Sequence, residues 1–416
     1  MSDPQIERKN FIFNLAEGAL YTSAGSLTSA QTVLPALVVQ LGGSDIAVGA
    51  LSVIFWVGLF LPQVFAARYV QTLAWKKPWA IKFGIAHRST VLLMAVSLLA
   101  FGGRNNDVAL ALFFLFYICC QILLGITTPG WFDMFAKMIP TRKRGRLVGL
   151  RSSLGGVGAF CSGLILTWLL AHASFPLNYG IAFLLAFVLQ VASVIVQSNV
   201  VEEEPSPVVP RQPLLSFLRE LPAVVRANRP FRAFLTATTI QIVATMPVGF
   251  YTVYALSRFQ VDASFVGEFT LAMVAVQVVS SLVVGMLADR FGNKVSLTIA
   301  ATALLAANVC ALAAPSVGWF FAVYVFLGVN LGTELLARYN IAVEYAPVEQ
   351  RATYIGLMNT VIAPFYGVGM IGGTIAGMFG YSSVFWIGVL ASVVGTVMTV
   401  VRVQDPRRFN AGMAPA

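Results

Sequence analysis

The sequence has few charged side chains. Asp, Glu, Lys and Arg make up 11% of its 416 residues, whereas 58% are hydrophobic. A soluble globular domain carries about 25% charged and roughly 45–50% apolar residues. With so few charged residues, a disordered chain and a coiled coil are excluded. The polar residues are also too few to cover the surface of a soluble enzyme. The composition therefore predicts an integral membrane protein.

Residues that bind metals or carry redox chemistry are also scarce, since the chain has two His and four Cys. The cysteines lie inside apolar runs without a CxxC pair, which is typical of small packing residues. A nucleotide-binding P-loop is missing as well. We therefore expect neither a metal nor a cofactor, and we do not expect an enzyme.

What the chain does contain is a series of apolar runs, each long enough to cross a bilayer, for which a helix needs about 20 residues. They predict an all-α protein with twelve transmembrane helices. The first run is too long for a cleavable signal peptide and lacks a small-residue cleavage site, so we expect none. The runs cover residues 11–40, 46–70, 79–101, 108–138, 149–171, 179–200, 231–256, 264–288, 294–313, 318–346, 352–379 and 381–402.

The 27 Lys and Arg residues are distributed unevenly between the two sides of these helices. With the N-terminus in the cytoplasm, the outer loops hold only Arg104 and Arg258, and most of the other bases lie in cytoplasmic loops. The positive-inside rule then places both termini in the cytoplasm, in a multi-pass protein of the cytoplasmic membrane. Because the bases are divided among short loops, the net charge of +10 does not indicate a nucleic-acid partner.

A polar segment at residues 201–230 divides the runs into six and six. It opens with Glu202–Glu204 and continues into a proline-rich stretch, a composition that cannot pack a core. We predict a first half at 1–200, a cytoplasmic linker at 201–230 and a second half at 231–416. Residues 214–225 have the apolar spacing of an amphipathic helix, which either lies on the inner leaflet or packs on the cytoplasmic loops.

The two halves share a short motif. Pro140-x-x-x-Arg144 recurs as Pro347-x-x-x-Arg351, and each copy lies just before a Gly-Leu pair. Both copies follow the fourth run of their half. The repeat predicts a duplicated six-helix unit with Arg144 and Arg351 in equivalent cytoplasmic loops. Such duplication is expected of a large class of transporters.

Residues 285–294, Gly-Met-Leu-Ala-Asp-Arg-Phe-Gly-Asn-Lys, resemble the signature G-x-L-a-D-r-x-G-r-k of the major facilitator superfamily. They lie between the second and third runs of the second half, where that superfamily carries the signature. The number of runs, the two halves and the central linker extend the resemblance over essentially the whole chain. It implies the major facilitator fold, with two pseudo-symmetric six-helix halves that transport by alternating access.

The resemblance also implies a gating role for the signature. Its glycines would allow a tight turn and close packing, and Asp289 would latch the cytoplasmic side by meeting the positive end of a facing helix. In the first half Ala67 stands at the position of this Asp, which argues against an equal latch there. The predicted gating residues are Gly285, Asp289, Arg290, Gly292 and Lys294.

Polar side chains inside the runs mark candidate sites, because a charge at the bilayer centre costs about 2.5–3.5 kcal/mol on insertion scales. The resemblance directs attention to runs one, four, seven and ten, which line the central cavity in the superfamily. The first and tenth runs carry their polar residues at helical spacing, on one face. The candidate substrate or coupling residues are Asn14, Glu17, Gln31, Gln121, Gln241, Asn330, Glu334 and Arg338.

Two interpretations are open for the charged candidates. Glu334 precedes Arg338 by four residues, the favourable spacing for a local ion pair. The pair either only holds the helix, or it opens so that Arg338 binds a substrate anion and Glu334 a proton. Glu17 either carries a proton or pairs with a base such as Lys82 or Arg151.

His87 and Arg88 fall in the middle of the third run, which is peripheral in the superfamily. We therefore expect them to contact a neighbouring helix. The first half also lacks two features usual in proton-driven drug antiporters: a Gly-Pro pair in the fifth run and a base within residues 117–125 of the fourth. Drug export is disfavoured for that reason.

Together these features predict a monomeric secondary transporter of a small organic solute, with an anion or zwitterion favoured and protons as the coupling ion. Its partners would be the solute, protons and membrane lipids. Two alternatives stay open: an exporter of lipids, other amphiphiles or drugs, and a protein of this fold that serves in assembly or sensing without transport. The lack of a nucleophile or metal motif disfavours an integral membrane enzyme.

Overall fold

The computed structural model describes residues 4–206, 208, 228–347 and 351–406. These residues form α-helices and short 3₁₀ turns, and the described chain contains no strand. The helices of the first half are α1 (Pro4–Gly25), α2 (Val33–Gln40), α3 (Asp45–Val70), α4 (Lys77–Phe101), α5 (Asn106–Met138), α6 (Thr141–His172) and α7 (Leu177–Ser198). Those of the second half are α8 (Arg229–Ala244), α9 (Tyr251–Phe259), α10 (Ser264–Phe291), α11 (Asn293–Ala313), α12 (Gly318–Tyr345), α13 (Arg351–Ile362), α14 (Val368–Phe379) and α15 (Tyr381–Val401).

Eleven helical stretches of the described chain are long and apolar enough to cross a membrane. They coincide with eleven of the twelve predicted runs, which confirms the all-α membrane fold. The first run, 11–40, differs because a 3₁₀ turn at Ser26–Thr28 separates α1 from α2. In addition, α1 carries the charged residues Glu7, Arg8, Lys9 and Glu17, which lower its hydropathy.

Large apolar side chains cover the outside of these helices. Leu61, Val157, Val279 and Met378 are 57%, 64%, 60% and 70% exposed, respectively. So much exposed apolar surface is favourable in contact with lipid and unfavourable in contact with water. The chain is therefore a multi-pass integral membrane protein.

The chain divides into two compact units. The first unit comprises Met1–Gly43, Ile54–Gln212 and Asp262–Leu271, and the second comprises Ser44–Val53, Pro213–Val261 and Ala272–Ala416. Each unit thus takes one short segment from the other half of the sequence. Most of the predicted linker at 201–230 and the amphipathic helix at 214–225 lie outside the described residues, so the division at 1–200 and 231–416 stays a prediction.

Helix pairs build each unit. In the first unit α1 packs on α6 and α7, while α4 packs on α5 and α7. In the second unit α11 packs on α12 and α15, and α15 also packs on α8. Two helices begin at asparagine caps: Asn105 accepts the N–H of Val108 at 3.2 Å, and Asn228 accepts the N–H of Phe231 at 3.0 Å. These caps satisfy N–H groups that have no partner within the helix.

The break between α8 and α9 is held by a buried asparagine. Pro247 interrupts the helix there, which leaves backbone groups without their usual helical partners. Asn308, fully buried, donates to the carbonyl of Ala244 at 3.1 Å and to the hydroxyl of Ser392 at 2.8 Å. It also accepts the hydroxyl of Tyr251 at 2.6 Å. One side chain on α11 therefore stabilises both sides of the break.

The structure differs from the sequence prediction at Glu202, whose side chain is only 3% exposed. Its carboxylate accepts the backbone N–H groups of Lys76 at 3.0 Å and Lys77 at 2.9 Å, where α4 begins. It also pairs with Lys137 in the last turn of α5 at 3.0 Å. A carboxylate is stabilised at a helix N-terminus by the free N–H donors and the helix dipole. The first residues of the predicted linker thus pack against the first unit.

Candidate functional site

Two glycines of α6 allow it to pack unusually close to α1. A Cβ at Gly155 would lie 2.7 Å from the Cβ of Thr22, and a Cβ at Gly158 would overlap the hydroxyl of Ser23. Residues without a side chain are needed for this approach. Arg151 lies one turn before Gly155 on the same face of α6, so the packing places its side chain over α1.

Arg151 forms an ion pair with Glu17. Its Nη1 atom lies 2.9 Å from Oε2 of Glu17 and donates to the carbonyl of Asn14 at 3.0 Å. The guanidinium occupies the space where a Cβ at Gly18 would lie, and its central carbon is 4.9 Å from the ring centroid of Trp131. Of the two predicted interpretations of Glu17, the structure contains the ion pair with Arg151; the proton-carrying role stays a prediction.

The Glu17–Arg151 pair lines a cavity of about 190 Å³, which we call the first-unit cavity. The Gln197 side chain in its wall is 2% exposed, and its Nε2 atom has no hydrogen-bond partner within the described residues. A buried donor without a partner costs about 1–3 kcal/mol, so this amide is a candidate contact for a ligand. Other side chains that line the first-unit cavity are Tyr21, Arg88 and Trp131.

Arg88 also lines the first-unit cavity, but it does not pair with a carboxylate among the described residues. It donates from Nε to the carbonyl of Gln190 at 2.7 Å, from Nη1 to the carbonyl of Gly84 at 3.0 Å and from Nη2 to Ser193 Oγ at 2.8 Å. No ion pair forms at Arg88 within the described residues. Its contacts with α7 agree with the expectation that it meets a neighbouring helix.

In the second unit, Arg338 is 1% exposed. Its Nη1 atom lies 3.1 Å from Oε1 of Glu334 and donates to the hydroxyl of Tyr366 at 3.1 Å. The Nε and Nη2 atoms have no hydrogen-bond partner in the described part of the chain. A guanidinium carries five N–H donors, so this one is buried with one edge unused.

A break in the second unit positions Tyr366. The 3₁₀ turn Ala363–Gly367, which contains Pro364, separates α13 from α14 and carries the tyrosine to Arg338. Asn359 of α13 donates to the hydroxyl of Tyr339 on α12 at 3.2 Å. These contacts tie α13 and the turn to α12, the helix that carries Arg338.

Three of the predicted amides are hydrogen-bonded elsewhere. The side chain of Asn14 donates to the carbonyl of Asn10 at 2.9 Å, and that of Gln241 donates to Thr396 at 3.4 Å. Asn330 donates to the carbonyl of Ala300 on α11 at 2.9 Å. Each four-residue step turns about 40° around a helix, so Asn330 lies roughly 80° from Arg338 and faces another neighbour.

Gln31 and Gln121 lie in the first unit but are not among the residues that line its described cavity. Gln31 follows the 3₁₀ turn after α1 and accepts the hydroxyl of Ser29 at 3.4 Å. Gln121 is 6% exposed and packs against Gly58, where a Cβ would lie 2.7 Å from its own. A substrate or coupling role for either residue stays a prediction.

The signature residues lie between α10 and α11. Gly292 has a φ of +92°, a conformation that favours glycine, so the predicted tight turn is there. A Cβ at Gly285 would meet no atom of the described residues within 4 Å. Lys294 donates to the carbonyl of Val400 at 2.8 Å, and the side chains of Asp289 and Arg290 are exposed. Their gating role stays a prediction.

Arg144 caps the end of α5. Its Nε atom donates to the carbonyl of Ile139 at 2.8 Å, and Nη2 donates to the carbonyl of Ala136. A cation at this position satisfies unpaired carbonyls and complements the negative end of the helix dipole. The side chain of its repeat partner, Arg351, lies outside the described part of the structure.

Sequence reasoning did not select Gly18 or Gln197, and it placed Arg151 only among the bases that could pair with Glu17. A signal for Arg151 existed in the sequence, since Arg151, Gly155 and Gly158 follow one face of a helix. Nothing comparable marked Gln197, because an amide near a helix end carries no pattern that distinguishes it from a solvated one.

Comparison with known proteins agrees with this architecture. Residues 233–414 match the family model of the Major Facilitator Superfamily. The niacin transporter NiaP of Acinetobacter baylyi is 32% identical over 138 residues. That match spans 31% of this chain and only 30% of the length of NiaP.

Solved structures share the fold at low identity. A D-xylose–proton symporter superposes with a TM-score of 0.69 at 13% identity, over 96% of this chain and 98% of its own. A POT family transporter in complex with 5-aminolevulinic acid gives a TM-score of 0.70 at 13% identity, over 96% of both chains. The second half therefore matches the Major Facilitator Superfamily model, and nearly the full length of the chain shares the fold of solved transporters.

Proposed function

We propose that this protein carries a small organic anion across the cytoplasmic membrane by alternating access, with protons as the coupling ion and both termini in the cytoplasm. The match of residues 233–414 to the Major Facilitator Superfamily model supports transport as the activity. The similarity to a protein named niacin transporter supports a carboxylate solute. Niacin is a pyridine carboxylic acid and is an anion at neutral pH.

The observation that carries this proposal is the unused Nε–Nη2 edge of Arg338. Glu334 and Tyr366 both bind Nη1, so they leave that edge without an acceptor. A guanidinium edge and a carboxylate fit each other through two parallel hydrogen bonds. A carboxylate solute would supply the acceptors that this buried side chain lacks, and it would do so without displacing Glu334.

The same arrangement supports proton coupling. The Glu334 side chain is 24% exposed, so water can reach it while Arg338 is buried. A bound carboxylate brings a second negative charge to a guanidinium that already pairs with Glu334. A proton delivered to Glu334 relieves the repulsion between the two carboxylates, so anion and proton would bind together and move together.

The test is uptake of labelled nicotinate by proteoliposomes with an imposed pH gradient. Arg338→Gln should weaken binding about 10- to 100-fold, because a hydrogen bond to a charged group contributes roughly 1.5–3 kcal/mol. Glu334→Gln should retain binding but lose the dependence of uptake on the gradient. Arg104→Gln, which changes an exposed arginine in a loop, is the matched control and should transport like the parent.

Three outcomes would contradict the proposal. If a folded Arg338→Gln variant takes up organic anions at the parental rate, the substrate site does not depend on Arg338 of α12. Movement of labelled lipid between leaflets, with no uptake of any anion in a panel, would favour the amphiphile exporter. A folded parent that moves neither would favour a role in assembly or sensing.

A further inference from the structure

We infer that the first-unit cavity is a second ligand site, for a small monoanion that carries a flat ring with a hydrogen-bond acceptor. This site lies within the first unit and does not depend on Arg338. It would bind its ligand whether or not the proposed transport function is correct.

The charges that line the first-unit cavity indicate that the ligand is an anion. Arg88 and Arg151 both line it, and Glu17 is the one carboxylate among the described lining residues. With His87 counted as neutral, the cavity holds one uncompensated positive charge, and a protonated His87 would only add to it. Buried charge is expensive unless it is paired, so a ligand with one negative charge is the favoured occupant.

The hydrogen-bond donors show how that ligand would be held. Within the described residues, the hydrogen bond of Arg151 to Asn14 and its ion pair with Glu17 both use Nη1. Its Nε–Nη2 edge therefore remains for a carboxylate, in the bidentate geometry that guanidinium groups favour. The unpartnered Nε2 of Gln197 offers one further donor in the same cavity, which suits an acceptor atom elsewhere on the ligand.

The walls and the volume give its shape. The ring of Trp131 already stacks on the guanidinium of Arg151, and the ring of Tyr21 lies 5.5 Å from the guanidinium carbon of Arg88. Flat apolar walls next to cations favour a flat ring with a charged end. The volume of about 190 Å³ is below the roughly 300–1,000 Å³ of pockets for drug-sized ligands, which restricts the ligand to about one ring.

The test is calorimetric titration of the purified full-length Arg338→Gln variant, in which the other anion site is removed. Nicotinate and benzoate are the flat anions, nicotinamide is the neutral analogue, and cyclohexanecarboxylate is the anion with a puckered ring. Nicotinate should bind best, and nicotinamide and cyclohexanecarboxylate should each bind at least about tenfold more weakly. Uptake is not measured, so a failure of the proposed transport function leaves this result unaffected.

Removing a positive charge and removing a negative charge from the cavity should have opposite effects on anion binding. This difference distinguishes a direct ligand contact from a structural effect. Added to Arg338→Gln, Arg151→Gln should weaken nicotinate about tenfold or more, whereas Glu17→Gln should strengthen it by removing a like charge. Loss of folding would instead weaken binding in both variants. If Arg151→Gln does not fold because Glu17 is left unpaired, the double variant Glu17→Gln/Arg151→Gln removes both charges and should still bind weakly.

The acceptor on the ring is tested through Gln197. Gln197→Leu should reduce the affinity for nicotinate, which has a ring nitrogen, and leave that for benzoate nearly unchanged. The inference is overturned if the Arg338→Gln variant binds neither anion, if nicotinamide binds as well as nicotinate, or if Glu17→Gln and Arg151→Gln weaken binding alike.

Discussion

Glu17 and Arg151 lie 2.9 Å apart on two different helices, α1 and α6. Glu334 and Arg338 form the corresponding pair in the second unit, at 3.1 Å, but one turn apart on the same helix. In both pairs the glutamate meets Nη1. Among the described residues, Nε and Nη2 of Arg338 have no hydrogen-bond partner, and the hydrogen bond and ion pair of Arg151 also use Nη1 alone. Each unit therefore presents the same chemical group, although the two are built in different ways.

Gly18→Ala should displace Arg151 from Glu17. A Cβ at this position would overlap the guanidinium, so the side chain must leave its place in the first-unit cavity. We expect a loss of roughly 1–3 kcal/mol in the free energy of unfolding, and weaker nicotinate binding in the Arg338→Gln background. Thermal unfolding and titration measure the two effects.

Gly149→Ala is the matched control on α6, because a Cβ there would meet no atom within 4 Å in the part of the chain that the structure describes. This substitution should leave binding unchanged and stabilise the helix slightly, since alanine is the better helix former. Equal effects of the two substitutions would contradict the role given to Gly18.

Tyr366→Phe tests how Arg338 is held. It removes the hydroxyl that accepts from Nη1 and leaves Glu334 in place. Hydrogen bonds inside membrane proteins average about 0.6 kcal/mol, so stability should change little. The arginine should become less well oriented, and nicotinate uptake should fall several-fold through a higher KM. An unchanged KM would mean that Glu334 alone positions the guanidinium.

Asn308→Ala should destabilise the second unit. Three hydrogen bonds of this fully buried amide are lost, including the one to the carbonyl of Ala244 at the break before α9. At about 0.6 kcal/mol each they sum to roughly 2 kcal/mol, and the unfilled space adds to the loss. Thermal unfolding gives the size of the effect. Asn308→Asp should destabilise at least as much, because it places a buried carboxylate against the carbonyl of Ala244.

Glu202→Gln should loosen the cytoplasmic ends of α4 and α5. The charge-assisted bonds to the start of α4 and to Lys137 become neutral ones, with a loss of about 1–2 kcal/mol. The neighbouring Glu203 is exposed, so Glu203→Gln is the control and should unfold like the parent. Identical unfolding of both variants would show that the buried carboxylate contributes no stability.

Much of the fold could be predicted from the sequence because a bilayer imposes a length on every helix that crosses it. Eleven of the twelve predicted runs coincide with helical stretches of the described chain that are long and apolar enough to cross a membrane. The exception is the run at 11–40, where a 3₁₀ turn separates α1 from α2 and Glu17 lies within the first helix.

The candidate sites were predictable only where partners are close in sequence. The spacing of Glu334 and Arg338 predicts a local pair, and the structure has one. Spacing also placed Asn330 with them, although its amide bonds to α11, because a stripe of four-residue steps rotates around the helix. For Glu17 the sequence left two bases open, and Gln197 gave no signal at all.

The sequence by itself determined that this is a helical membrane protein, and it predicted two related halves and a resemblance to the major facilitator superfamily. Charge, run length and short motifs can be read from short stretches of the sequence. The thickness of the bilayer and the positive-inside rule then constrain where those stretches lie. Only the tertiary structure decided that Arg151 meets Glu17, and that Gln197 completes the wall of the same cavity. Those contacts depend on how closely α6 packs on α1, which Gly155 and Gly158 permit but helical periodicity does not specify.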